Sequence, residues 1–394
     1  MALNDVKFVK GQGGLGRPLD GEDHISGFVF YVADADLPGT FTTSNRIQVF
    51  YSLAGAEAAG ILSTATHMDV IHYHIAEYFR VQPKGVLYVG LFNATGSDET
   101  TLPFVSLKNL QLFASGAIRQ AGVYVTDNYS PTLISNLQTI ATSLEALHMP
   151  LSVLFAANVA DVTASDLHSP ATDSAPDVSV VIGQDGNGKG KALFLANSKS
   201  ITCIGAVLGA VSRAKVSENI GWVKNFNMSD GELDVIAFAD GKLYRDIDSN
   251  LLDTLNDHHF IFLRKHIGVS GSYFNDSYTA IAATSDYCTI ENNRTIDKAI
   301  RNIRTFVIPE LNGPLFVDPT SGNLSEDTIA YFTSLTSRPL EQMQRDGELS
   351  GFGVIINPAQ DVLATSKLDI TVQLIPVGVA RQIEINIGFT VKLS

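Results

Sequence analysis

Cysteine is nearly missing from this chain of 394 residues, with only Cys203 and Cys288 present. Two thiols over that length make no disulfide framework. Both sit in apolar or tight contexts, ITCIGAV and SDYCTIE, and read as plain buried thiols rather than a redox pair. Positive charge is also short: 27 Lys and Arg stand against 41 Asp and Glu, for a formal net charge of −14. That balance argues against a nucleic-acid binder, whose phosphate contacts call for a basic surface. No apolar run approaches the roughly 20 residues needed to cross a bilayer. The opening MALNDVKFVKGQGG lacks the apolar stretch of a signal peptide. The chain is therefore expected to be made in the cytoplasm, without direct membrane insertion, and to leave it only by another route. What the sequence does have is apolar material, 45% of residues against 17% charged, which excludes disorder and suffices for real cores. The length suggests two or three domains.

Along the chain, GFVFYVA (27–33), RIQVFYS (46–52) and VLYVGLF (86–92) concentrate aromatic and β-branched residues between turn signals and read as strands. Between the last two the period changes. Met68, Ile71, Ile75 and Tyr78 share one face of a helix. From about 86 to 183, helical and strand-like segments alternate, which predicts an α/β layer with parallel strands. NVADVTASDLHSPATDSAP (158–176) reads as a loop, SITCIGAVLGAVSRA (200–214) as an apolar helix with glycines, and 248–257, 289–308 and 324–345 as further helices. No internal repeat occurs at a fixed period.

Two glycine loops invite a phosphate. Gly11, Gly13 and Gly16 have the G-x-G-x-x-G spacing, but a dinucleotide loop needs a strand before it and a helix after it. Only VKFV precedes, and Arg17-Pro18 comes next. Gly183 to Lys189 match G-x-x-x-x-G-K after the strand-like DVSVVI, yet Gly190 stands where Ser or Thr should hold magnesium. As a calcium loop the same stretch fails at Lys189 and Ala196. A flexible turn between two strands is the expectation. His67, His72 and His74 cluster near Glu77 without an H-E-x-x-H pair or a ligand set on one face, and His258, His259 and His266 flank FIFLRK in the same undirected way. No G-x-S-x-G elbow exists; Gly268-Val269-Ser270-Gly271 comes closest and fails at Ser272. No catalytic residue, metal site or cofactor is expected.

Two features need a positive explanation. In ENNRTIDKAIRNIRTFVIP, Ile296, Ala299, Ile300, Ile303 and Phe306 form one helical stripe, and Arg294, Lys298, Arg301 and Arg304 form another on the opposite side. On so acidic a chain the basic stripe is either a solvated face or a site for an acidic partner. At the C-terminus, Ile383, Ile385, Ile387, Phe389, Val391 and Leu393 alternate with polar residues and glycine in an unbroken period of two. Such an apolar edge strand is an aggregation hazard unless something pairs with it. It can pair with LDITVQLI (368–375) of its own molecule or add to a neighbour's sheet. Val6 and Phe8 of VKFV, tethered by glycines, present the same choice. If both ends reach other copies, the contact is head-to-tail and closes into rings or runs on as a helical filament.

These residues resemble the sheath subunit of contractile tails, as in myophages, R-type pyocins and related injection particles. YCTIENNRTIDKAIRNIRTFVIPELNGPLFVDPTS looks like the sheath core's long helix together with the segment after it. GFGVIINP and LDITVQLIPVGVARQIEINIGFTV look like the closing strands, and SITCIGAVLGAVSRAKVSENIGWVKNF is similar to the stretch that enters the core. GLGRPLDGEDHISGFVFYV resembles the variant in phage-like elements of Bacteroidetes. The resemblance implies a mixed α/β, multidomain core with mixed sheets flanked by helices and extended terminal strand arms. Its divisions would be an arm at 1–22, a first core part at 23–92, a variable outer domain at 93–199, a conserved core at 200–367 and C-terminal strands at 368–394. It implies a helical homopolymer around an inner tail tube, with baseplate and tail terminator proteins as further partners and no nucleotide needed. The subunit would assemble in the host cytoplasm and end in a virion or released particle. Val6, Phe8, Ile383, Ile385, Ile387, Phe389 and Val391 would lie in strand-donating arms, and Arg294, Lys298, Arg301 and Arg304 would face the tube. Two other classes stay open: an α/β enzyme holding a phosphate ligand at 183–190, and a monomeric binding module whose closing strands form its own sheet.

Overall fold

The computed structural model describes residues 22–93 and 104–389. In the first strand, β1 (Ile25–Val32), Phe28, Phe30 and Val32 enter one buried cluster and Val29 enters another, so the strand is buried on both faces. That is the position of an inner strand in an α/β sheet, which is why it reads as a continuous apolar run. The chain continues through β2 (Ile47–Phe50), α1 (Leu53–Ala58), α2 (Asp69–Val81), β3 (Val86–Asn93), α3 (Val105–Phe113), β4 (Gln120–Asn128), α4 (Pro131–Glu145) and β5 (Ser152–Asn158). The 158–176 loop then leads to β6 (Ser174–Ala175), β7 (Val178–Val181), β8 (Gly183–Asp185), α5 (Lys189–Asn197) and α6 (Ile204–Arg213). Next come β9 (Ile236–Phe238), α7 (Ser249–Asp257), β10 (Phe260–Ile261), β11 (Leu263–His266), β12 (Val269–Phe274), β13 (Ala280–Ile281) and α8 (Ile290–Val307).

Seven of these strands form one sheet in the order β10-β7-β5-β4-β1-β3-β2. All neighbours are parallel except β2 against β3. β1 pairs β3 along its whole length, from Ile25 opposite Val86 to Val32 opposite Asn93. Helices α2 and α6 contribute to the cluster on one face, α3 and α4 to that on the other. The expected α/β class with helix-flanked mixed sheets is the one observed. One sheet runs on across 92/93, with β1, β3 and β2 at one end and β4, β5, β7 and β10 at the other, and α6 buries Ile204, Val207, Leu208 and Val211 in the same cluster as Phe28 and Leu87. The glycines of α6 explain how it gets there. A Cβ on Gly205 would fall 2.2 Å from the carbonyl oxygen of His74, and one on Gly209 would fall 2.8 Å from that of Tyr78, so only glycine lets the helix lie against the backbone of α2.

The chain divides into two units between Arg301 and Asn302. In the second unit a long helix, α9 (Glu326–Arg345), is capped by Ser325, whose side chain accepts from the N–H of Thr328. After it come β14 (Leu349–Ile355), α10 (Val362–Thr365) and β15 (Thr371–Pro376). β14 and β15 pair antiparallel as a two-stranded sheet. LDITVQLI thus finds its partner in SGFGVII, not in the C-terminal isoleucines. A small core of Leu324, Phe332, Ile356 and Val362 holds the unit together.

Candidate assembly site

At 183–190 the sequence predicts a turn between strands. The structure has instead a strand–turn–helix, with β8 before the glycines and α5 starting on Lys189. The apolar ALFLA continues the helix, because nothing after Gly190 breaks it before Asn197. The setting is that of a phosphate loop, but the anion is already there. The buried Asp185 carboxylate accepts from the backbone N–H of Asn187 at 3.2 Å and of Gly188 and Gly190 at 3.1 Å. A phosphate would need those same donors. The glycines serve this carboxylate. A Cβ on Gly188 would lie 2.6 Å from Asp185 Oδ2, and one on Gly190 would lie 2.7 Å from the Tyr73 hydroxyl. The enzyme alternative therefore loses its phosphate loop. Gly11, Gly13 and Gly16 lie outside the described residues.

The histidines go separate ways. His72 Nε2 sits 2.9 Å from a Glu57 carboxylate oxygen. His67 is exposed at a φ of 61°. His74 is fully buried among the rings of Phe28, Phe30, Tyr73 and Tyr124, and burial drives its pKa down to about 3. Among the described residues no group of three or more His, Cys, Asp and Glu is placed to share a metal ion.

The basic stripe of α8 is largely engaged within the chain. Arg294 is buried, and its guanidinium donates to the carbonyl oxygens of Ala214, Lys215 and Asp23. Lys298 Nζ lies 2.6 Å from the Asp23 carboxylate, and Arg301 lies 3.6 Å from its other oxygen. Arg119 pairs with Glu22 alongside. Burial works to raise the Asp23 carboxyl, but Lys298, Arg294 and Arg301 together hold it below its ordinary value. The stripe thus clamps Asp23, just ahead of β1, and three of its members are engaged inside the first unit. Arg304 alone of the four is exposed. Sequence reasoning missed the partner. Asp23 is one of two acids in GEDH just before the first strand, and no helical pattern points to it. The apolar stripe is divided: Ala299 is fully buried, while Ile300 is 45% exposed and Phe306 40%.

At the C-terminus, Ile383, Ile385, Ile387 and Phe389 stand out from the chain, the last two 94% and 112% exposed. Residues 382–389 have no strand partner among the described residues. Neither β14 nor β15 has a second partner there either, so both outer edges of that sheet are bare. Ile355 and Ile375 on these strands are exposed. Val6, Phe8 and Val391 lie outside the described residues.

The sequence matches two family models in tandem, "DUF2586, N-terminal domain" over residues 3–278 and "DUF2586, C-terminal domain" over residues 286–394. The chain belongs to the DUF2586 family. No curated protein matches this DUF2586 chain by sequence. Solved structures do match its fold over nearly the whole length. A chain of the anti-feeding prophage (AFP) baseplate aligns with a TM-score of 0.64 at 15% identity, covering 99% of each chain. One from the contracted sheath complex of PVC, an extracellular contractile injection system, gives 0.58 at 12%, again over 99% of each. The sheath tail protein of Listeria innocua gives 0.55 at 8%, over 91% of the DUF2586 chain and 96% of its own. The DUF2586 fold is thus the fold of contractile sheath proteins.

Proposed function

We propose that this protein is the sheath subunit of a contractile injection particle, a structural rather than catalytic component. The observation that carries the reading is the match to sheath proteins over both units at once, 99% of the chain for the PVC sheath complex. The geometry of the second unit supports it. A two-stranded sheet with bare edges is marginal alone, and an alternating apolar segment without a partner is a strand in search of a sheet. We infer that residues 382–394 of one copy, and the N-terminal segment with Val6 and Phe8, add to β14–β15 sheets of neighbouring copies. Backbone hydrogen bonds would hold the copies while the connecting segments bend during contraction. The polymer would wrap an inner tube, with baseplate and terminator proteins at its ends, assembled in the cytoplasm of the producing cell. Among the described residues no helix is long and apolar enough to cross a membrane. Of the basic stripe, Arg304 is the member offered to a tube surface.

Negative-stain microscopy of the purified chain, with and without tube protein, tests the reading. Rings, tubes or striated cylinders are expected. Deleting residues 382–394 is expected to leave a folded monomer with an unchanged melting temperature that no longer polymerises. A deletion that unfolds the chain, or one that polymerises as before, overturns the arm assignment.

A further inference from the structure

Helix α4, the chain around β6 and helix α8 line an open groove of about 440 Å³. Ile296 and Ile300 of α8 form its apolar wall, and Glu145, Asp177 and Asp297 lie around them. Among the described residues no lysine or arginine lines it. The acids feel the imbalance. Burial, with Asp177 and Glu145 adding to it, raises Asp297 to about 7 against the pull of Arg301 and Arg119. Asp177 is also raised, by burial first, although Gln138 donates to it at 2.7 Å. A groove with an apolar wall and a surplus of carboxylates fits an occupant that is apolar at its tip and positive beside it.

The same chain offers one. The β11–β12 hairpin is rooted by buried Leu263 and Phe274. At its turn Ile267 is 105% exposed, with Val269 beside it and exposed Arg264 and Lys265 on the approach. No acidic residue occurs between Leu263 and Phe274, in a chain that carries 41. The hairpin lines no part of the groove in its own molecule, so the pairing joins different copies. We propose that the β11–β12 tip of one copy seats in the α4–α8 groove of another, Ile267 against Ile296 and Ile300, with Arg264 and Lys265 facing Glu145, Asp177 and Asp297. The two surfaces differ, so the contact is head-to-tail and repeats from copy to copy. It deepens the sheath reading and rests on it. Apolar contact at the tip excludes water, and the charges set register and encounter rate.

The test uses full-length chains carrying Cys288→Ser, one with Ile267→Cys and the other with Ile300→Cys. A short bismaleimide is expected to give a covalent dimer in the mixture and none with either variant alone. Separately, Arg264→Glu with Lys265→Glu is expected to weaken self-association about tenfold at low salt. Mixing these copies with Glu145→Lys copies is expected to recover most of the loss. Polymers that form without the mixed cross-link, or that ignore the charge reversal, overturn the docking and leave the sheath reading standing. A cross-link to tube protein instead of a second copy also overturns it. A chain that stays monomeric at every concentration, with and without tube, overturns both.

Discussion

Asp23 decides what the cations of α8 can do. Lys298, Arg294 and Arg301 converge on this carboxylate and its carbonyl oxygen, so a change among them leaves charge buried without its counterpart. Lys298→Glu sets a carboxylate against Asp23 and is expected to lower stability by on the order of 2 kcal/mol or more, read as a fall in the urea midpoint. Arg304→Glu, at an exposed position, is expected to stay within about 0.5 kcal/mol of the parent while weakening assembly on tube protein. Equal losses from the two would mean the clamp is no clamp. His74 carries a second residue-scale expectation. Its folded pKa of about 3 lies below an unfolded value of about 6.5, so the unfolded chain binds the extra proton. Stability is then fully present above pH 6.5 and falls with acid by about 1.4 kcal/mol per pH unit until pH 3. His74→Phe, which keeps a ring among its aromatic neighbours, should flatten the decline between pH 6 and 4 in urea titrations. An unchanged slope would assign the acid sensitivity elsewhere.

Elements are legible where one face is apolar and hidden where a side chain does unusual work. β1, β3, α2 and the alternation through β5 follow from period and composition, because burial against a neighbouring layer imposes both. Helix α5 escapes a sequence reading because its start is set by Asp185, and a single acid ahead of glycines reads as an ordinary turn signal. Removing that acid tests the point. Asp185→Ala leaves three backbone N–H groups without their acceptor and is expected to cost about 2–4 kcal/mol, seen in thermal denaturation. Phosphate should not restore the loss; if it does, the loop is an anion site after all. For α8 the sequence shows both stripes, but which one turns inward depends on Asp23, hundreds of residues away along the chain, and local period carries no information about that.

For the whole molecule, strand order in the sheet differs from chain order. β1 sits between β3 and β4, so the first strand is fixed only when later ones have formed. Strand pairs of that kind are set by non-local contacts, and no stretch of sequence announces them. The alternation of Ile383, Ile385, Ile387 and Phe389, by contrast, is legible locally, because a period of two needs no distant partner to be seen.

The bare edges of β14 and β15 have a kinetic consequence. On the proposed sheath reading, a free copy carries both an alternating segment without a partner and, among the described residues, a sheet without outer strands, so every copy would be competent to join any other. Growth that any pair could start would scatter polymers through the cell. A particle of defined length therefore requires that the first contacts form slowly and that later ones, meeting several neighbours at once, form fast. We predict a lag in light scattering on concentrating the purified chain, abolished by adding fragments of preformed polymer. A rise without a lag would mean that something other than nucleation decides where each sheath begins.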